Sequence, residues 1–311
     1  MLIITGSDDN YVPGVMVLIA SAAFHNPAAR FAVLDMGISD ANRSRIDRLG
    51  EKLNVSITRV EVSNDAFDHL PVQRAHLTRS TYLRLLIPGL FPDEDRVIYM
   101  DCDMVVTGDL SLADTIELGS APIAAVACPS PNSQEVAATG HVRGTYINAG
   151  FLVMNLPVWR DEGIADQCIT LIADPRQSLL SEDQSAINIV CRGRIVYLPS
   201  EFNVYSDPNA YKRKEDLPME PAVIHYVVNN KPWNMPTTLD ALWRFHAKRI
   251  EDLMPDLREP SLRRRISLVN RNRKMIFGLL LRQKKYIMRN WVRNTMNGTI
   301  AGNYIARHRG R

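Results

Sequence analysis

The sequence predicts an α/β protein: a mostly parallel sheet with helices on both faces. Three observations carry this. Short apolar runs alternate with helix-length segments over residues 1–130, the rhythm of strands joined by crossover helices. Hydrophobic residues make up 46% and charged residues 23%, the mix of a globular protein, which excludes a disordered chain, a collagen-like repeat and a multi-span membrane protein. A length of 311 residues admits one large domain or two modest ones.

The elements follow in order. Leu2–Thr5 is a short apolar strand, and Val12–Phe24 is long and apolar enough for a buried helix. Phe31–Met36 is a second strand. Ser39-Asp40 caps a helix to about Leu53, with Ile46, Leu49 and Leu53 on one face. Val55–Val62 alternates as a third strand, and Thr78–Ile87 is helical, stopping at Pro88-Gly89. Val97–Met100 and Ile123–Cys128 are further strands. Beyond them the pattern loosens: strands at Phe151–Leu156, Ile195–Leu198 and Ala222–Val227, helices at Ile164–Ala173, Asp183–Cys191 and Leu239–Leu253. Pro255 and Pro260 mark a boundary after the last of these helices. In such sheets, ligands sit beyond the carboxyl ends of the strands.

Net charge is +3, but it is unevenly spread. Residues 262–311 hold 14 Lys/Arg and no Asp/Glu, leaving 23 basic against 34 acidic residues in the rest. Leu262, Ile266, Val269, Ile276, Leu280, Ile287 and Trp291 recur near the helical period among these cations, a basic amphipathic pattern suited to an anionic membrane surface. A nucleic-acid-binding arm and a partner-binding helix are the rivals, and the interleaved Phe277 and Trp291 favour the membrane. The cysteines at 102, 128, 168 and 191 form no Cys-x-x-Cys pair and read as free thiols in a reducing compartment. Pro13, Gly14 and Pro27 interrupt the uncharged stretch Asn10–Ala29, a poor signal peptide and a poor membrane span. A cytoplasmic location is the expectation.

Six local features carry chemistry. In Arg96-Val-Ile-Tyr-Met-Asp101-Cys-Asp103 a strand ends in two carboxylates, hard ligands suited to Mn²⁺ or Mg²⁺ and so to a diphosphate. The same pattern fits a haloacid-dehalogenase-type phosphatase with an aspartate nucleophile. Ala222-Val-Ile-His225 ends a strand in an imidazole, with Lys231-Pro-Trp233 downstream; a metal ligand and a phosphate-binding cation are one reading, a core histidine and a solvated lysine the other. Asp8-Asp9-Asn10-Tyr11 follows the first strand, placed either for a base and ribose or as a helix cap. Arg84 in Ser80-Thr-Tyr82-Leu-Arg84 suits a phosphate, a carboxylate or the surface. In Tyr146-Ile-Asn148-Ala-Gly150 the glycine permits close approach and the amide suits a sugar hydroxyl. Ser181-Glu182-Asp183-Gln184 opens a helix and has a plain reading as a cap.

Together these features resemble glycosyltransferase family 8, the retaining GT-A enzymes, and most closely its bacterial lipopolysaccharide α-galactosyltransferases. The resemblance runs from Asp8-Asp9-Asn10-Tyr11 through Val33-Leu-Asp35-Met-Gly-Ile-Ser39 and Thr81-Tyr-Leu-Arg84-Leu to His225 and Lys231-Pro-Trp233, about residues 1–240. It implies a UDP-sugar donor, a glycan acceptor and metal ligation by Asp101, Asp103 and His225. Asp8 and Asn10 then match uridine and ribose contacts, Arg84 lies close to the nucleotide-sugar, and Lys231 meets the diphosphate. Asn148, Asp183 and Gln184 match residues around the donor hexose, with Gln184 at the position discussed as a nucleophile. Two positions depart: Val228 stands where the family has a glycine whose N–H approaches the diphosphate, and Ser185 where it has aspartate. The resemblance implies a GT-A body over residues 1–261, with a nucleotide-binding half to about 110 and a donor-sugar and acceptor half over 111–261. Residues 262–311 form a membrane-attachment tail. A non-catalytic UDP-sugar-binding protein of the same fold is the alternative, and no nucleic-acid partner is expected.

Overall fold

The computed structural model describes residues 1–63, 65–67, 70, 79–174, 176–177, 179–227, 230–257 and 259–310. Among them, seven strands form one sheet: β1 Leu2–Ser7, β2 Arg30–Asp35, β3 Ile57–Glu61, β4 Arg96–Met100, β6 Ile123–Ala127, β7 Ile147–Asn155 and β8 Ile195–Tyr197. Their order is β3-β2-β1-β4-β7-β6-β8. Four of the six strand pairs are parallel, and β7 runs antiparallel to both neighbours. A second, three-stranded sheet joins β5 Met104–Val106, β10 Val223–His225 and β9 Val204–Tyr205.

The central strands bury both faces, as parallel strands between helical layers must. Ile3, Phe31, Val33, Ile98 and Val153 face a cluster that includes Val15, Met16, Leu18 and Ile19 of helix α1, Val12–His25. Leu2, Ile4, Leu34, Val97, Tyr99 and Leu152 face the other way. They meet a cluster with Ile164 and Cys168 of α3, Ile164–Ala173, and Ile187 of α4, Glu182–Val190. Helix α1 is apolar on all sides because all its sides are covered. In contrast α2, Asp40–Leu53, buries the stripe of Ile46 and Leu49 and ends at Asn54 in the left-handed conformation.

Several details differ from the sequence expectation. Arg79–Leu86 is a 3-10 helix, and Pro88 and Gly89 lie inside the following turn, Ile87–Leu90, not beyond its end. Proline in a first helical turn loses no hydrogen bond, since that N–H has no partner in the helix. Strand β7 begins at Ile147, so Asn148 and Gly150 are strand residues. The closing helix, α5, is shorter, Asp240–Arg249. The strands β5 and β9 are too short for periodicity to reveal.

The basic segment divides. Helix α6, Leu262–Leu280, is N-capped by Ser261 and exposes Leu262, Ile266, Val269, Ile276 and Leu280. After α7, Lys284–Asn294, and a π-helical turn at Thr295–Ile300, α8 runs from Ala301 to His308. Val292, Met296, Ile300 and Tyr304 are buried in the main core that α1 and α5 also line. The first part of 262–311 is therefore largely exposed and the last part is packed into the body. No helix among the described residues is long and apolar enough to cross a membrane, and all four cysteines are unpaired.

Candidate active site

The site assembles at the carboxyl edge of the sheet, and strand register explains why. Strand β4 stops at Met100, where Asp101 N–H donates to the Gly150 carbonyl of β7 at 2.8 Å. After Asp103, β5 begins and pairs antiparallel with β10, Met104 opposite His225; Tyr226 N–H donates to the Asp103 carbonyl. The loop Asp101-Cys-Asp103 is thus clamped between two sheets, and His225 is brought beside it from far along the chain. A one-residue slip in β10 would turn the imidazole to the opposite face.

One ligand atom each from Asp101, Asp103 and His225 lies within 4.8 Å of the others, the one such three-residue group among the described residues. His225, 3% exposed, places Nε2 3.1 Å from Asp103 Oδ1 and 3.7 Å from Asp101 Oδ2. Asp103 Oδ1 is buried with no hydrogen-bond donor. A Cβ at Gly150 would stand 2.5 Å from the imidazole and 2.6 Å from Asp101 Oδ2, so glycine there preserves the cavity. Two carboxylates, one imidazole and an unsatisfied buried oxygen fit a divalent cation, and the mixed O/N set favours a transition metal over Ca²⁺. Burial alone would raise the Asp103 carboxyl; the Lys231 ammonium chiefly outweighs it and holds the group well below the ordinary carboxylate range. Lys231 donates to Asp103 Oδ2 and to the Tyr226 carbonyl.

Arg84 is buried, contrary to the surface alternative. Its guanidinium pairs with Asp183 at 2.9 Å and Asp101 at 3.1 Å, donates to the Ala149 carbonyl, and lies 4.6 Å from the Tyr99 ring centre. The two carboxylates keep it charged despite burial. Asp183 accepts also from Thr81 Oγ1 at 2.8 Å, yet burial pushes its carboxyl up to about 6.

A chain of amides links the imidazole to Gln184. Ala149 N–H donates to Gln184 Oε1 at 3.2 Å, which fixes that atom as oxygen. Asn148 Nδ2 donates to the same oxygen at 2.8 Å. Asn148 Oδ1 accepts from Gly150 N–H at 3.2 Å and from Asn203 Nδ2 at 2.8 Å. Asn203 Oδ1 then faces His225 Nδ1 at 3.0 Å and must accept from it. Two backbone N–H groups therefore set the tautomer: Nδ1 carries the hydrogen and Nε2 points at the carboxylates as a ligand atom. At the other end, Gln184 Nε2 donates to Tyr146 OH at 2.9 Å, and Tyr146 donates to Glu135 at 2.6 Å. Ser185 Oγ donates to the same Glu135 oxygen at 2.9 Å. A carboxylate thus reaches this region from Ser133–Ala138, a different element.

Arg84, Asp101, Asp103, Asn148, Asp183, Gln184, His225 and Lys231 line a cleft of about 1230 Å³ together with Asp8 and Asn10. Asp8 accepts from Asn10 N–H at 2.9 Å, while Asp9 holds Ser39 and Asn42 and so ties the loop to α2. A Cβ at Gly14 would stand 2.5 Å from the Cys102 carbonyl, so α1 starts against the carboxylate loop. Val228 lies outside the described residues. Sequence reasoning missed Asn203, Glu135 and Tyr99, whose hydroxyl donates to Asp101 at 2.8 Å. Asn203 and Glu135 have no local motif, because the fold brings their partners, whereas Tyr99 lies two residues before Asp101 within the strand motif itself.

Among known proteins, the family model described as Glycosyl transferase family 8 matches residues 2–237. The chain belongs to this family. That sets aside the phosphatase reading of Asp101-Cys-Asp103. This family 8 glycosyltransferase is 29% identical over 244 residues to the lipopolysaccharide 1,3-galactosyltransferase of Salmonella typhimurium, covering 74% of this chain and 72% of that one. It is 27% identical over 254 residues to general stress protein A of Bacillus subtilis, covering 76% and 88%. The galactosyltransferase LgtC, solved with donor and acceptor sugar analogs, superposes with a TM-score of 0.66 at 26% identity, over 81% of this chain and 95% of that one. An active-site mutant of LgtC superposes with a TM-score of 0.70. The fold is thus that of the GT-A transferases.

Proposed function

We propose that this transferase moves a hexose, galactose or glucose, from UDP to a hydroxyl of a membrane-borne glycan such as lipopolysaccharide core, with retention and with Mn²⁺ (or Mg²⁺) bound. One observation carries the reading: Asp101, Asp103, His225, Lys231, Asp8, Asn10, Asn148 and Gln184, drawn from distant parts of the chain, line a single cleft. The hexose and acceptor are supported by the lipopolysaccharide galactosyl- and glucosyltransferases among the relatives.

Asp8 and Asn10 bind the uridine and ribose at the end of β1. Asp101, Asp103 and the Nε2 of His225 hold the metal, whose charge stabilises the diphosphate when bound. Lys231 adds a cation beside it. Asn148, Asp183 and Gln184 surround the hexose, and Arg84 orients Asp183 and Asp101 from beneath. Gln184 Oε1 already accepts two hydrogen bonds, which favours a front-face route over attack by Gln184. In that route the bond from the anomeric carbon to the diphosphate oxygen breaks, the acceptor oxygen bonds on the same face, and its proton passes to the departing phosphate oxygen. The binding-only alternative drew on Val228 and Ser185; Ser185 retains a carboxylate partner in Glu135, so no observed contact favours it.

The apolar residues of α6 and Ile287 attach the enzyme peripherally to the cytoplasmic face of the inner membrane. The test measures UDP release from UDP-galactose, UDP-glucose and UDP-N-acetylglucosamine with and without Mn²⁺. Release from one of the two hexose donors that requires Mn²⁺ is expected. Absence of thermal stabilisation by UDP plus Mn²⁺ would sink the donor assignment.

A further inference from the structure

Helix α6 carries a second, polar stripe beside the apolar one. Arg263, Ser267, Asn270, Arg271 and Lys274 recur at helical spacing and, with Ile266, line a groove of about 470 Å³. Arg263 and Ser267 also line the donor cleft, so the two cavities adjoin at these residues. We propose that this groove is an acceptor subsite, which binds a phosphate or carboxylate group of the acceptor glycan while the acceptor hydroxyl lies in the cleft. The proposal rests on the transferase reading above.

The charge arrangement is unlike that of the body. There, arginines meet carboxylates: Arg59 with Asp47, Arg194 with Glu162, Arg213 with Asp216. Arg271 differs: half-burial first, and then the positive charges of Arg289 and Arg293, weaken its hold on its proton. The carboxylate nearest in effect is Asp207, already accepting from Asn209 N–H and Nδ2. Arg289 Nε is buried with no hydrogen-bond partner. An oxyanion in the groove would relieve the repulsion and meet guanidinium donors in the fork geometry that suits it. Ser267 and Asn270 supply neutral polar groups beside it. Leu262, Val269, Ile276 and Leu280 lie outside this groove and face solvent, and Ile266 alone of the apolar set borders it. That separation argues for a saccharide in the groove and lipid on the apolar side.

The test titrates the full-length protein, with isotope-labelled arginine side chains, with glucose phosphate, glucuronate, glucose and phosphatidylglycerol vesicles, each with and without UDP. The sugar anions are expected to move the Arg263 and Arg271 signals and glucose is not. Arg271→Gln is expected to weaken sugar-anion binding about tenfold while UDP affinity and vesicle binding stay unchanged. Arg263→Gln, at an exposed position, gives a second reading should Arg271→Gln fold poorly. Signals unmoved by either sugar anion would overturn the subsite. So would signals moved by phosphatidylglycerol vesicles alone, which would assign the groove to lipid headgroups. Failure of UDP to bind the parent chain overturns the donor reading, and the titration without UDP still decides the groove.

Discussion

Asp103 bonds Lys231 on one side and faces the His225 Nε2 with its other oxygen. Asp103→Asn removes one ligand charge and leaves Lys231 its carbonyl contact, so the fold should hold while transfer is nearly abolished. UDP release above about a tenth of wild type at saturating Mn²⁺ would contradict the assignment. Asn203 acts one step back, by holding the imidazole through Nδ1. Asn203→Ala is expected to weaken Mn²⁺ binding about 10- to 100-fold, read by calorimetry on the full chain. Unchanged metal affinity would make the amide chain merely structural. Asp103 was legible from its spacing after an apolar strand; Asn203 was not, because its meaning depends on neighbours 22 and 55 residues away.

The docking of α8 sets a pH dependence. His246 of α5 and His25 at the end of α1 both meet the Tyr304 hydroxyl, at 2.9 and 2.7 Å, and His308 lies beside them. Burial first, and then the nearby His25, Arg249 and His308, push the His246 imidazole down to about 3. A histidine whose folded pKa is depressed favours the folded state above its unfolded pKa. That contribution is lost as pH falls from about 6.5 toward 3. Stability should drop by up to about 1.4 kcal/mol per pH unit through that window, and His246→Gln should flatten the slope. Equal slopes for the two proteins in urea unfolding would refute this. The sequence marks 262–311 as basic and periodic, but which residues of that period face the body was decided by α1 and α5.

The whole molecule pairs a two-faced sheet with a C-terminal segment that is half scaffold and half surface. Removing residues 288–311 takes Val292, Met296, Ile300 and Tyr304 out of the core, at about 2 kcal/mol for each large apolar side chain. Over four side chains that is about 8 kcal/mol, so a fall in melting temperature of more than about 10 °C follows. Replacing Ile266, Ile276 and Leu280 with serine exposes nothing new, because these residues already face solvent. That variant should keep its melting temperature and lose affinity for phosphatidylglycerol vesicles. Vesicle binding equal to wild type would remove the apolar face of α6 from the attachment surface.

The sequence by itself determined the strand-helix rhythm and the fold class, because burial on both faces forces continuous apolar runs. It also marked Asp101, Asp103, His225, Arg84, Asn148 and Gln184, since residues of functional type at strand ends and helix starts form patterns visible along the chain. Tertiary structure alone decided that Arg84 is a buried partner of Asp101 and Asp183, that Glu135 stands behind Ser185 and Tyr146, and that Asn203 fixes a tautomer. It also decided that the chain's last helix belongs to the core. These are pairings between residues far apart in sequence. Register and packing choose them, and local spacing carries no record of either.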